Sequence, residues 1–360
     1  MTDKPVQTRD PLVESADFQR ALIDWFVADG RDYPWRRTAD PYAILVSELM
    51  LQQTQIATVL ERRYFERWLE RFPDVAALAD APETDVLKQW EGLGYYNRAR
   101  NLQKAAQVVV GEHGGEFPDS LEKIHALPGV GRYTAGAVMS FAFDRPAPIV
   151  DGNVARVFAR LFDWRDAIEI TVSQKQLWSW AEALLPEKSV REYNSALMEL
   201  GQRVCTKSAP DCHECPVASF CVTRSPESLP RKKAARETVH VIEHALFAVS
   251  ENRILLEQES GSRRKGLWRL PLLSESLAVG LPVLLKTRYA ITHHRVDLIV
   301  HQAETQQGKV VDPTLLNDWP TRQWIDLETE YEAIAMPSPF RKAVDRVLAM
   351  KREAEQFRLS

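Results

Sequence analysis

The sequence predicts a multidomain protein in which an all-α half ending in a metal-binding cysteine loop is followed by a smaller α+β half. Three observations carry that expectation. Apolar residues recur at helical spacing through residues 15–223, with no convincing strand alternation. All four cysteines, Cys205, Cys212, Cys215 and Cys221, fall in one short stretch of that half. From residue 239 the pattern switches to β-runs. A length of 360 residues accommodates two or three domains.

The net charge of −4 gives no global attraction for a polyanion, so any nucleic-acid affinity must come from a local basic face. The stretch MTDKPVQTRDPLVES is polar and lacks the apolar core of a secretory signal. No run of 18 apolar residues suggests a membrane span, and a cytoplasmic location is expected.

In chain order, Ser15 is the expected cap of a helix whose apolar face holds Phe18, Leu22 and Trp25. Further helical patterns run through 43–69, 83–90, 98–112 and 173–185. Within the first of these, Glu48 sits among Ile44, Leu45, Leu49, Met50 and Leu51. An exposed helical glutamate is the plain reading; if the group is buried instead, desolvation raises its pKa and fits it to act as an acid.

Asp119 with Glu122 resembles a capping box. Leu127-Pro128-Gly129-Val130-Gly131 is then a tight turn whose two glycines are free to adopt unusual backbone angles. A second helix follows, so the turn is either a plain αα-hairpin or a backbone cradle for phosphate. Asp151 opens DGNVARVFARL, where Val154, Val157, Phe158 and Leu161 form an apolar face. It reads as an N-cap, and the positive end of a helix favours its ionised form, which could stabilise a developing cation. Two carboxyls pushed in opposite directions suit acid-assisted cleavage of a glycosidic bond.

The cysteine spacing is C-x6-C-x2-C-x5-C. Clustered cysteines in a chain without a signal peptide point to metal ligation in a reducing compartment. Structural zinc usually uses two short knuckles, and here there is one, which favours an iron–sulfur cluster while leaving zinc as the competitor. Residues 224–238, RSPESLPRKKAARET, read as an interdomain linker, or else as a solvated loop. Beyond it, VHVIEHALFAVSENRILLEQE predicts two strands around a turn at Ser250–Asn252, residues 296–304 a further strand, and 338–353 a closing helix.

Taken jointly, LPGVG, a helix, VDGN and the cysteine spacing resemble the helix-hairpin-helix family of DNA glycosylases over residues 15–223. Within that family the chain is more similar to the MutY type than to endonuclease III. Tyr133 stands where endonuclease III-like enzymes carry a nucleophilic lysine. The segment around Glu48, SELMLQQT, resembles the MutY catalytic segment, and the tail resembles its Nudix-like domain, with Gly266-Leu267-Trp268 near a strand but no acidic Nudix box. The resemblance implies a glycosylase domain over 1–223, with the cluster loop at 205–221, the linker over 224–238, and an 8-oxoguanine-recognition domain over 239–360.

It also implies a monofunctional enzyme that removes adenine opposite 8-oxoguanine or guanine from duplex DNA. Glu48 would be the proton donor and Asp151 the stabiliser of the oxocarbenium ion, with Tyr133 and Asn153 orienting them. Trp35, Arg36, Leu51 and Ser195 would wall the adenine pocket. Gln53 and Tyr95 would fill and wedge the opened stack, although core packing is the plain alternative for Trp35 and Tyr95. Gly129, Gly131, Thr292 and His293 would meet DNA, and the four cysteines would hold a [4Fe-4S] cluster with Arg203, Lys207 and Arg224 near phosphate. A monomer is expected.

Two positions depart from the family pattern. Ser195 is shorter than the Glu or Gln usual there, and Ile291 replaces the aromatic residue of the 8-oxoguanine-reading turn, which predicts a weakened preference for 8-oxoguanine over guanine. The rival readings are an endonuclease III-like glycosylase/lyase on damaged pyrimidines and a catalytically silent lesion-binding protein.

Overall fold

The structure, a computed structural model, describes residues 9–234, 236–261, 264–303 and 321–359. Two compact units emerge: residues 1–80 with 101–234, and residues 81–100 with 235–360. This differs from the expected partition at two places. Ala81–Arg100, inside the expected glycosylase domain, belongs with the tail. Residues 224–234 belong with the helical unit, because the buried Arg160 donates to the carbonyls of Pro226 (2.7 Å) and Leu229 (3.0 Å), while Ile168 N–H donates to Arg231 O (3.0 Å).

The helical unit follows the expected periodicity, except that the pattern through 43–69 is broken into three helices, Pro41–Leu51, Ile56–Glu61 and Tyr64–Arg71. Its helices include Ser15–Asp29, Pro41–Leu51, Leu121–His125, Arg132–Phe143, Gly152–Leu161, Thr171–Ala183 and Val190–Arg203. One core gathers Phe18 and Leu22 with Val154, Phe158, Leu177, Tyr193 and Leu197. Two expected caps are displaced by one residue. Glu14 precedes the first helix and makes no side-chain capping bond, because its carboxylate is taken by Arg9 at 2.8 Å. Ser120, not Asp119, caps the helix at 121, accepting from Lys123 N–H, while Asp119 pairs with Arg145 at 2.8 Å.

The second unit carries two sheets. Strands β1 (Val239–Phe247), β5 (Leu272–Leu273), β6 (Val283–Ile291) and β7 (His294–Gln302) lie in the order β5-β1-β7-β6, with β1 parallel to β7. Strands β2 (Val249–Ser250), β3 (Arg253–Gln258) and β4 (Trp268–Arg269) form the other, with β8 (Arg322–Asp326) also on β3. The turn expected at Ser250–Asn252 joins β2 to β3, with Glu251 and Asn252 at positive φ. The strand expected over 296–304 is β7; Glu304 lies outside the described residues. The closing helix runs Ser338–Leu359 and seats Phe340, Val344 and Val347 against Ala245, Leu298 and Val300.

Candidate active site

Glu48 rides on a helix whose residues Tyr42 to Met50 are all buried. A helix apolar on every side is a core helix, so the exposed-glutamate reading fails and Glu48 is 6 % exposed. Asp40 caps the helix start, accepting from Tyr42 N–H at 3.0 Å, and Pro41 occupies the first turn. The Tyr133 hydroxyl donates to Glu48 Oε2 at 2.8 Å. Burial pushes the Glu48 carboxyl up to about 7; the Tyr133 hydrogen bond opposes that and the charge of Asp151 adds to it. Such a group is protonated often enough at neutral pH to give a proton and ionised often enough to take one back.

Asp151 caps the helix Gly152–Leu161. Its Oδ1 accepts from Asn153 N–H (2.9 Å) and Val154 N–H (2.7 Å), and its Oδ2 from Asn153 Nδ2 (2.8 Å). The helix start was expected to hold this carboxyl low. Instead burial outweighs those bonds and the nearby Arg156, and the net shift is upward. Arg156 fixes the Asn153 amide, donating to Oδ1 at 2.9 Å, and also donates to Gly201 O (2.6 Å) and Cys205 O (2.8 Å). The two ends of the Asn153 amide are thereby assigned, and its NH2 faces Asp151.

Only one hairpin glycine needs to be glycine. Gly129 has φ +76, and a Cβ there would sit 2.5 Å from Asn101 Cβ. Gly131 has ordinary extended angles as the N-cap of Arg132–Phe143, with open space where a Cβ would go. Gln53 is exposed with φ +57, just past the end of the Glu48 helix.

A cleft of 860 Å³ brings together Glu48, Leu51, Gln53, Gly129, Gly131, Tyr133, Asp151 and Asn153. No lysine is among its described lining residues. Trp35, Arg36 and Ser195 line a separate 40 Å³ cavity, and Met198 touches both spaces. Trp35 stacks on Tyr33 at 5.2 Å and meets Phe65 edge-on, which is core packing. Arg36 pairs with the fully buried Glu199. Arg203 is held by Asp29 (2.7 Å) and Glu199 (2.9 Å), so it is engaged within the protein. The sequence reading missed Gln52, Met198 and Gln202 in the cleft wall. Their one signal was spacing: Met198 and Gln202 stand three and seven residues after Ser195 on one helix.

Tyr95, Thr292 and His293 belong to the second unit. Tyr95 is half exposed at φ +48, so it is not core. Thr292 and His293 form the two-residue turn between β6 and β7, with Ile291 opposite His294. Thr292 has φ +54, a strained angle for a β-branched residue.

All four cysteines are free thiols. Cys205, Cys215 and Cys221 pack half-buried against the helical core, and Cys212 is exposed. Cys215 is pushed up to about 12 and Cys221 up to about 11, by burial first, with backbone hydrogen bonds opposing and the charges of neighbouring thiolates adding to it. Arg160 donates to Cys205 Sγ at 3.3 Å. Among the described residues no three Cys, His, Asp or Glu side chains close on one point at ligating distance. The donor chemistry nonetheless fits a cationic centre: four thiols repel one another as thiolates, and a bound cation relieves that repulsion.

Comparison with known proteins shows what the chain is similar to. Residues 46–183 match the HhH-GPD superfamily of base excision DNA repair proteins. An adenine DNA glycosylase of Buchnera aphidicola subsp. Baizongia pistaciae is 35 % identical over 257 residues, covering 70 % of this chain and 71 % of that protein. The human adenine DNA glycosylase is 43 % identical over 222 residues, covering 59 % of this chain but only 40 % of its own length; the match to the mouse protein spans 44 % of that protein. Among solved structures, a thermostable thymine-DNA glycosylase superposes with a TM-score of 0.53 at 31 % identity, over 59 % of this chain and 97 % of that one. No helix among the described residues is long and apolar enough to cross a membrane.

Proposed function

The chain belongs to the adenine DNA glycosylase family, and we propose that it removes adenine from A:8-oxoguanine and A:G mispairs in duplex DNA without cutting the strand. The observation that carries this reading is the Glu48–Tyr133 pair in the cleft that also holds Asp151 and Asn153. One carboxyl is poised near 7, and the other is held by three hydrogen bonds.

In this mechanism the adenine is extruded from the stack into the cleft. Glu48 protonates N7, which makes the base a better leaving group. The C1′–N9 bond then breaks, its electron pair leaving with the base, and the Asp151 carboxylate stabilises the oxocarbenium ion. Glu48, now ionised, takes a proton from the water that attacks the anomeric carbon. Asn153 orients Asp151, and Tyr133 orients Glu48. With no lysine among the described lining residues, the Schiff-base route to strand cleavage has no agent in the cleft.

Cys205, Cys212, Cys215 and Cys221 would hold a [4Fe-4S] cluster, which would brace the loop against the helical core. The second unit would act as the Nudix-like reader of 8-oxoguanine, with Thr292 and His293 at the lesion and Tyr95 as a wedge. Ile291 offers no aromatic face there, which lowers the expected preference for 8-oxoguanine over guanine.

Single-turnover release of adenine from paired A:8-oxoguanine and A:G duplexes tests the reading. Release from both, faster on the first and with strands intact until alkali is added, is expected. Strand breaks on a thymine-glycol duplex with no adenine release would replace it with the endonuclease III-like reading. Anaerobic metal analysis should give about four iron atoms per chain; one zinc would refute the cluster.

A further inference from the structure

The segment Ala81–Arg100 comes from early in the sequence but packs with residues 235–360. Tyr95 stands near its end, 50 % exposed, at φ +48, after Gly92 at +100 and Gly94 at +69. A tyrosine at positive φ is strained by about 1–3 kcal/mol and persists only where its surroundings over-determine it. Local bonds supply part of that restraint. Trp90 Nε1 donates to Gly94 O at 3.0 Å, and the buried Arg98 donates to Leu93 O (3.0 Å) and Gly94 O (3.1 Å).

The rest comes from around the start of the closing helix. Arg341 Nε donates to Glu91 Oε1 at 2.9 Å, while its other two nitrogens hold Tyr331 O (3.0 Å) and Ile334 O (2.7 Å). Lys88 Nζ donates to Glu91 Oε2 at 2.7 Å, and Tyr96 OH to Met336 O at 3.0 Å. The Glu91 and Arg341 side chains are only 14 % and 13 % exposed, so solvent screens this pair weakly.

We propose that Glu91 and Arg341 are positioning residues: they clamp the turn that bears Tyr95, so that the unit carrying the Thr292–His293 turn also carries the aromatic wedge. A half-exposed ring on a braced backbone suits a partner with flat π faces, here an opened base step of duplex DNA. The choice of partner rests on the glycosylase reading; the clamp rests on the distances above. Glu91→Gln removes the charge while leaving Arg341 its two carbonyl partners, so the turn loosens rather than unfolds.

A double-mutant cycle on the full chain tests this, using Glu91→Gln, Tyr95→Ala and the double variant. The probe is a duplex with 2-aminopurine opposite 8-oxoguanine, whose fluorescence rises as the base leaves the stack. Glu91→Gln should weaken extrusion and raise KM about fivefold, a usual size for coupling between sites, with kcat unchanged at saturating DNA. It should add nothing on top of Tyr95→Ala, and Glu91→Asp, which keeps the charge, should retain more of the extrusion than Glu91→Gln. Additive effects, or parental extrusion by Tyr95→Ala, would overturn the proposal. Should Glu91→Gln fail to fold, Tyr96→Phe removes the hydroxyl that bonds Met336 O and carries the same expectation. Adenine release by the parent separates the two ideas: without it the functional reading falls, while 2-aminopurine extrusion still decides the clamp.

Discussion

The cleft of the helical unit and the exposed turns of the second unit solve opposite problems. Glu48 is buried with the Tyr133 hydroxyl as partner, and the half-buried Asp151 accepts three hydrogen bonds. Tyr95 and Thr292 are exposed and sit on backbone at positive φ, a strain that has to be held in place by its surroundings. Chemistry on a glycosidic bond needs shifted carboxyls, and shifting them takes desolvation. Meeting a duplex needs protruding groups that do not relax into the surface. Burial tunes the first region and backbone conformation tunes the second.

Substitution should therefore act differently in the two places. The largest effects are expected at the carboxyls: Glu48→Gln and Asp151→Asn should each slow single-turnover adenine release by about 10²–10⁴-fold with duplex affinity nearly kept. Release at the parental rate would remove both from the mechanism. Next comes Gly129→Ala, which meets Asn101 and a φ of +76; about 2–3 kcal/mol of stability should be lost in denaturant unfolding. An unchanged midpoint would mean that the turn yields freely.

A smaller effect concerns pH. Glu48 must be protonated to act, so release should fall as pH rises through about 7. The Tyr133 hydroxyl stabilises the ionised form of Glu48. Tyr133→Phe should therefore move that falling limb to higher pH, and a shift downward would contradict the assigned hydrogen bond. Smallest is Thr292→Gly. Relieving the positive φ should stabilise the fold by about 1 kcal/mol while reducing the ratio of A:8-oxoguanine to A:G rates. A loss of stability would show that the Thr292 side chain contributes more than its strained angle costs.

How much of this was legible in the sequence depended on the reach of the contacts. Asp151 was legible because its cap bonds run only two and three residues ahead. The apolar neighbours of Glu48 on every side of its helix were a sign of burial that the exposed reading passed over, while its partner Tyr133, 85 residues away, had no local signal. The net direction of the Asp151 shift was misjudged because local helix electrostatics can be read from sequence and desolvation cannot. Trp35, Arg36 and Ser195 were expected to wall the adenine pocket and line a small cavity beside the cleft, with Met198 touching both; Trp35 packs on Tyr33 and Phe65, and Arg36 pairs with Glu199. The association of Ala81–Arg100 with the tail had no local signal.

That association also bears on how the chain is made. Glu91 leaves the ribosome 250 residues before Arg341. At roughly 5–20 residues per second, about 12–50 s separate the two during synthesis. Through that interval Glu91 lacks Arg341 and Tyr96 lacks the Met336 carbonyl, so it is the second unit, not the helical one, that cannot be completed in order of translation. Ala81–Arg100 waits without these partners until the helix Ser338–Leu359 emerges, and in that interval it is a segment for a chaperone to hold or a protease to cut.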